Sequence, residues 1–166
     1  MTTADKIILE LVATLRFAAE DEIATLIAHV AQAPFASYLA RVPNELRQLL
    51  AQHNVQTPAK LPSVEWHLLK RIYDERQWPK GTTTDDYIKD LQQAVQHPEV
   101  AVWTYRYFGR PYASFLAPSH LHFAPLSLPY IYVAYDPQYG TITTGYQASG
   151  YGTVFDNHCV DLVRHR

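Results

Sequence analysis

Between residues 4 and 32, apolar side chains recur at helical spacing: Ile7, Ile8, Leu11, Leu15, Phe17, Ile23, Leu26, Ile27 and Val30. The pattern predicts one long helix, or two with a break at Glu20–Glu22, ended by Pro34. A short helix is predicted from Asn44, the expected N-cap after Pro43, through Leu46, Leu49 and Leu50. Residues 52–63 hold Pro58 and Pro62 and no periodicity, so they read as a linker. Ser63 can cap a helix over 64–77 whose apolar side is Trp66, Leu68, Leu69, Ile72 and Tyr73. Trp78-Pro79-Lys80-Gly81 stops it. Thr84 is the expected N-cap of the next helix, with Asp85 and Asp86 in its first turn, where the dipole favours acids. Pro98 closes that helix.

From Val100 the period changes to two. VAVWTYRYFG alternates and is rich in β-branched and aromatic residues, so it reads as a strand. A turn is expected at Gly109-Arg110-Pro111, with PYASFLAP as the return strand. Residues 118–129 form a longer loop. PYIYVAYD and TITTGYQ, joined by Asp136-Pro137-Gln138-Tyr139-Gly140, make the clearest hairpin. The expected fold class is α+β: N-terminal helices packed on a four-stranded, mainly antiparallel sheet in the C-terminal half. Residues 1–60 would be a helical extension or subdomain, and 61–166 an α+β domain. The helices would cover one sheet face and leave the other as a tyrosine-lined surface.

Composition sharpens this picture in one respect: the chain of 166 residues holds 12 Tyr, 6 Phe and 3 Trp. Tyrosine joins ring area to a hydroxyl and suits a half-wet sheet face or a binding surface. The single cysteine, Cys159, excludes an internal disulfide framework. No run approaches the roughly 20 apolar residues of a membrane span. The N-terminus reads as an amphipathic helix rather than a signal peptide. A cytoplasmic location is expected, either in the producing cell or in a target cell. The net charge of −2 is unlike the basic balance usual in nucleic-acid binders. Locally the balance differs: Arg106 and Arg110 are the only charged residues between Val100 and Tyr135.

Three clusters could carry chemistry. His67, Lys70 and Arg71 stand at i, i+3 and i+4, which on a helix places an imidazole and two cations on one face. Nearby cations favour the neutral imidazole that a general base needs, and they can hold a phosphate. The threonines ending at Thr84 lead into a helix N-terminus, where free backbone N–H groups attract anions. Strand alternation puts Thr141 and Thr143 on one face of the last hairpin strand, and Thr144 and Tyr146 on the other. Each cluster also has a plain structural reading: a half-buried histidine bonded to backbone, a solvated cationic face with Asp74 as partner of Lys70, a good helix start, and strand-forming threonines. His120 and His122 could share a strand face as metal ligands, but no third ligand lies near them in sequence. His158-Cys159 lacks a C-x-x-C partner. No metal or organic cofactor is expected.

The order of a His-bearing helix, a T-x-x-x-Y-I helix and a meander ending in VAYDPQYGTITTGYQ resembles the barnase/EndoU/colicin/RelE superfamily of small ribonucleases, in its polymorphic or phage-borne toxin branch. The resemblance covers about residues 63–148. It implies a metal-independent endoribonuclease in which the ribose 2′-hydroxyl attacks the phosphate. His67 would be the acid or base, with Lys70 or Arg71 as the phosphate-binding cation. Thr143, Thr144 and Tyr146 would supply hydroxyl donors. Thr84, Tyr87, Arg106, Arg110 and Tyr132 would contact RNA in single-stranded or loop form. A cognate inhibitor protein would accompany such a toxin, and the N-terminal helices could contact it or a second copy. The competing expectation is a non-enzymatic protein-binding module that uses the aromatic sheet face. The two readings separate on geometry. Cleavage needs His67, a cation and hydroxyls to converge, whereas a binding module leaves them apart.

Overall fold

The computed structural model describes residues 1–122 and 124–166. In chain order the elements are α1 (Thr3–Thr14), α2 (Glu20–Val30), β1 (Leu39–Arg41), α3 (Asn44–Gln52), β2 (Lys60–Pro62) and α4 (Ser63–Leu69). They continue with a π-helical turn (Lys70–Asp74), α5 (Thr84–Val95), β3 (Ala101–Tyr107), β4 (Arg110–Pro118), β5 (Tyr130–Asp136), β6 (Thr141–Ala148), a 3₁₀ turn (Tyr151–Thr153) and β7 (Cys159–Arg164). The fold is α+β. None of the helices among the described residues is long and apolar enough to cross a membrane.

The main sheet has five strands in the order β6-β5-β4-β3-β7, and every neighbouring pair is antiparallel. Sequence pattern predicts four strands; the fifth is β7. Its alternation is broken because Asp161 sits in the left-handed region (φ 56°), opposite a register shift between Thr104 and Arg106. A second difference is the two-stranded ribbon β1–β2, which pairs Leu39 with Pro62 and Arg41 with Lys60; β2 lies inside the stretch 52–63 expected to be linker. This ribbon is hard to read in sequence, because strands of three residues carry no measurable period.

One sheet face packs against the helices. Val102, Phe115, Val133, Tyr135 and Ile142 from the strands share one apolar cluster with Ile8 and Leu11 of α1, Leu26 and Val30 of α2, and Tyr87 and Leu91 of α5. Core residues therefore lie on both sides of the expected boundary at residue 60. The chain turns between α1 and α2 at residues 15–19, earlier than the Glu20–Glu22 break expected. Leu15 caps α1 in the left-handed region, and Arg16 clamps Glu10 and Glu22 at 2.8 Å each. Asp5 anchors α1 to the sheet. It is buried, accepts the Thr2 hydroxyl at 2.6 Å and the Tyr135 hydroxyl at 2.6 Å, and Tyr135 Oη lies 2.8 Å from His29 Nε2 of α2.

Helix starts also shift by a residue. Thr83, not Thr84, caps α5, accepting Asp86 N–H at 3.1 Å. Pro43 and Pro62 occupy the N-cap positions expected of Asn44 and Ser63. Between β3 and β4 the turn is Phe108-Gly109 rather than Gly109-Arg110-Pro111. Both turn residues have positive φ (48° and 77°), the backbone twist that a two-residue hairpin turn needs.

The outer edge of β6 is covered along its length. Ile142 exchanges backbone hydrogen bonds with Pro34 and Ala36 at 2.9 and 2.8 Å. Gly145 O accepts Arg71 Nε–H at 2.8 Å and the Tyr87 hydroxyl at 2.5 Å. Gln147 is paired by the side chain of Gln77. A strand edge closed this way offers no template to another chain.

Candidate functional site

Alternation along β3 turns Trp103, Tyr105 and Tyr107 away from the helices, and register carries the same face across Tyr112, Ser114, Tyr132 and Tyr146. The segment after β6 folds back over one end of this face, where Phe155 packs edge-on against Trp103 and Tyr105. The other end stays open as two adjoining cavities. The first, of about 270 Å³, is lined by Tyr105, Tyr107, Tyr112, Tyr132, Tyr146, Thr143, Thr144, Asp156 and Cys159, with Ala134 and Val154. The second, of about 600 Å³, shares Tyr112 and Thr143 with it and adds Tyr38, Arg110, Asp136, Tyr139 and Thr141. Together they form one tyrosine-lined groove. Its rim carries large rings left in solvent: Tyr38 is 66% exposed, Phe108 66% and Tyr139 73%. Exposed aromatics gathered at one end of a sheet form a patch of the kind that marks binding sites.

The floor of the groove is a closed ring of three buried hydroxyls. Tyr105 Oη lies 2.7 Å from Ser114 Oγ, Ser114 Oγ 2.6 Å from Tyr132 Oη, and the two tyrosine oxygens 2.9 Å apart. Each hydroxyl can donate to the next and accept from the last, so the buried polar atoms are satisfied without a ligand. Burial raises the pKa of Tyr105 and Tyr132, and of Tyr112 and Tyr146 at the rim. These phenols are therefore neutral donors rather than nucleophiles. Burial also raises the Cys159 thiol, which disfavours the reactive thiolate.

A bulge decides where the threonines point. The β5–β6 register shifts between Ala134 and Tyr135, so Ala134 opposes Thr144 and Tyr135 opposes Ile142. Thr143 is the extra residue, and Thr141 and Thr143 line the groove along with Thr144 and Tyr146, which strict alternation would place on the opposite face.

Arg71 reaches the edge of this groove from behind. The π-helical turn places it against β6, where it is buried. Beyond its bond to Gly145 O, Nη2 donates to Thr144 Oγ1 at 2.9 Å, Nη1 is ion-paired with Glu75, and the guanidinium lies 5.2 Å from the Tyr146 ring centre. Such turns widen a helix by one residue and re-aim its side chains. Hence Arg71, Thr144, Tyr146 and Tyr87 come together around Gly145.

The remaining expected site residues lie elsewhere. His67 Nδ1 sits 2.7 Å from Ser63 O, and its ring stacks on Trp66 (centroids 4.0 Å apart) and tilts against Phe35. Its pKa is held down to about 4, chiefly by burial; the backbone bond to Ser63 works the other way, and the charges of Arg71 and Lys70 contribute less. The neutral imidazole expected is present, but it is absent from the groove lining. Lys70 borders a separate cleft with Glu45, Leu49 and Asp74. Thr84 opens α5 away from the groove. Arg106 pairs with Asp161 at 3.6 Å, and Arg110 with buried Asp136 at 2.5 Å while lying over Tyr139. Tyr132 belongs to the groove floor. His120 Nε2 lies 3.3 Å from Asp90 Oδ1, and no group of three His, Cys, Asp or Glu among the described residues is placed to hold a metal.

Sequence reasoning passed over Tyr105, Tyr112, Ser114, Tyr38, Tyr139 and Asp156. A partial signal existed for the first three: alternation groups Trp103, Tyr105 and Tyr107 on one strand and Tyr112 and Ser114 on the next, and the two-residue turn at Phe108-Gly109 makes the two faces one. Tyr38 and Tyr139 are loop residues, and no pattern marks them. No family model, curated protein or solved structure matches the chain.

Proposed function

We propose that this chain is a protein-binding module that docks an extended segment of a partner on its tyrosine groove. One observation carries the reading: the cations near the groove are already paired with carboxylates, while rings and hydroxyls stand open. Arg71 is held by Glu75, Arg110 by Asp136 and Arg106 by Asp161. A polyanion would have to displace these partners. An uncharged segment need only cover aromatic surface and meet phenol donors, the combination enriched at the centres of protein interfaces. His67, the acid or base expected for RNA cleavage, lies outside the groove lining.

The test is selection from a random displayed peptide library on immobilised protein, with Tyr112→Ala as the counter-target. Peptides held by the wild type and lost by the variant support the module. Recovery of clones indifferent to Tyr112 counts against it.

Cleavage of RNA remains the second reading, favoured by the convergence of Arg71, Thr144 and Tyr146. It requires metal-independent cutting of RNA in EDTA that Arg71→Ala or Tyr146→Phe abolishes. Intact RNA across pH 5–9 would retire it.

A further inference from the structure

We infer that the segment taken up by the groove is proline-rich, in the polyproline II conformation, with a lysine or arginine flanking it. This inference rests on the reading of the groove as a peptide site.

The backbone geometry of the site selects among peptide conformations. A β-strand ligand needs an open sheet edge, because its affinity comes from main-chain pairing. The groove runs over a sheet face; the β6 edge beside it is occupied by Pro34, Ala36, Arg71 and Gln77, and of the other edge strand, β7, only Cys159 lines the groove. A helix buries a broad apolar stripe, whereas here the walls are rings tipped with hydroxyls. A polyproline II segment has no internal hydrogen bonds, so its carbonyls project and need donors from outside. The Tyr112 and Tyr146 hydroxyls take no side-chain or backbone partner among the described residues, and both phenols stay protonated. Proline rings are compact, apolar and uncharged, and they lie against tyrosine faces without asking the paired arginines to move. The segment is also stiff before binding, so little conformational entropy is lost on a site this small.

Charge sets the flank. Asp136 is neutralised by Arg110, but Asp156, which lines the cavity beside Tyr107, has no cationic partner among the described residues. It is exposed and held in place by the backbone, accepting His158 N–H at 2.7 Å. A basic residue entering next to Tyr107 would complete the one unpaired charge of the groove.

The peptides recovered against wild type and lost on Tyr112→Ala are sequenced, and the strongest is synthesised with a fluorophore for anisotropy titration. The expected result is two or more prolines in most clones, with Lys or Arg at one end. Replacing the prolines by alanine should weaken binding about tenfold or more. Tyr112→Phe, which keeps the ring and removes the donor, should weaken it by severalfold, and Asp156→Asn should do so for basic-flanked peptides alone. Groove-dependent peptides without proline would overturn the inference and leave the peptide site standing. No groove-dependent peptide, or capture of a single-stranded oligonucleotide instead, would overturn both. Circular dichroism of each variant separates lost binding from lost folding.

Discussion

Gln77 pairs with Gln147 as a neighbouring strand would. Its Oε1 accepts Gln147 N–H at 2.7 Å, its Nε2 donates to Gln147 O at 3.1 Å, and its own carbonyl accepts from Gln147 Nε2 at 2.5 Å. Both residues are buried. Gln77→Ala would strand a buried N–H and a buried C=O on β6, each costing about 1–3 kcal/mol. Urea denaturation should show that loss. A change under 0.5 kcal/mol would mean that water takes over the pairing.

Gly145 faces α5, and a Cβ there would fall inside contact distance of the Leu91 side chain. Gly145→Ala should destabilise by about 1–3 kcal/mol through overpacking. Combining it with Leu91→Ala should recover part of the loss in a double-mutant cycle. Strict additivity of the two would show that the clash is relieved elsewhere.

Acid should weaken the fold through His67. Its folded pKa, about 4, lies below the unfolded value of 6.5, so the unfolded chain binds the proton more readily between those limits. The stability from neutral His67 is complete above pH 6.5 and is lost as pH falls toward 4, a term of about 3 kcal/mol. His165 acts in the same direction, its pKa lowered chiefly by burial. Its Nδ1 accepts Ala18 N–H at 3.0 Å, a bond that protonation breaks. Thermal melts from pH 4 to 8 should fall on the acid side, and His67→Phe should flatten the slope. An unchanged slope would place the titration elsewhere.

Removing Arg71 should cost more than removing a hydroxyl from the groove floor. Arg71→Ala leaves Glu75 without its cation and withdraws donors from Gly145 O and Thr144, so a loss of about 3–5 kcal/mol is expected. Tyr132→Phe opens the hydroxyl ring and should cost about 1 kcal/mol. Chemical denaturation of the two variants ranks them. The reverse order would mean that the guanidinium is dispensable where it lies.

The elements with several turns or alternations were legible in advance: α1, α5 and the β3–β6 meander each repeat their period often enough to be read. What escaped were features made by single residues. The bulge at Thr143 brings Thr141, Thr143, Thr144 and Tyr146 to one side, where alternation alone parts them into two pairs. The π-helical turn carries Arg71 onto Gly145 and Thr144 of β6, partners that i, i+3, i+4 spacing does not indicate. His67 is neutral, though through burial more than through the neighbouring cations, and its position depends on Phe35 and Trp66, contacts that leave no trace in spacing. The tyrosine face was visible as composition and period; its open end depends on how far residues 149–158 fold back.

The place of β7 has a consequence for synthesis. β3 emerges early in the sheet, pairs first with β4, and then keeps its other side bare until residues 159–164 have been made. During that interval Trp103 to Tyr107 form a bare aromatic strand edge, the kind of transient surface on which nascent chains stick to one another. A ribosome that pauses before codon 159 would hold the chain in that vulnerable form, and one that runs through would add residues 119–164 within several seconds, at about 5–20 residues per second.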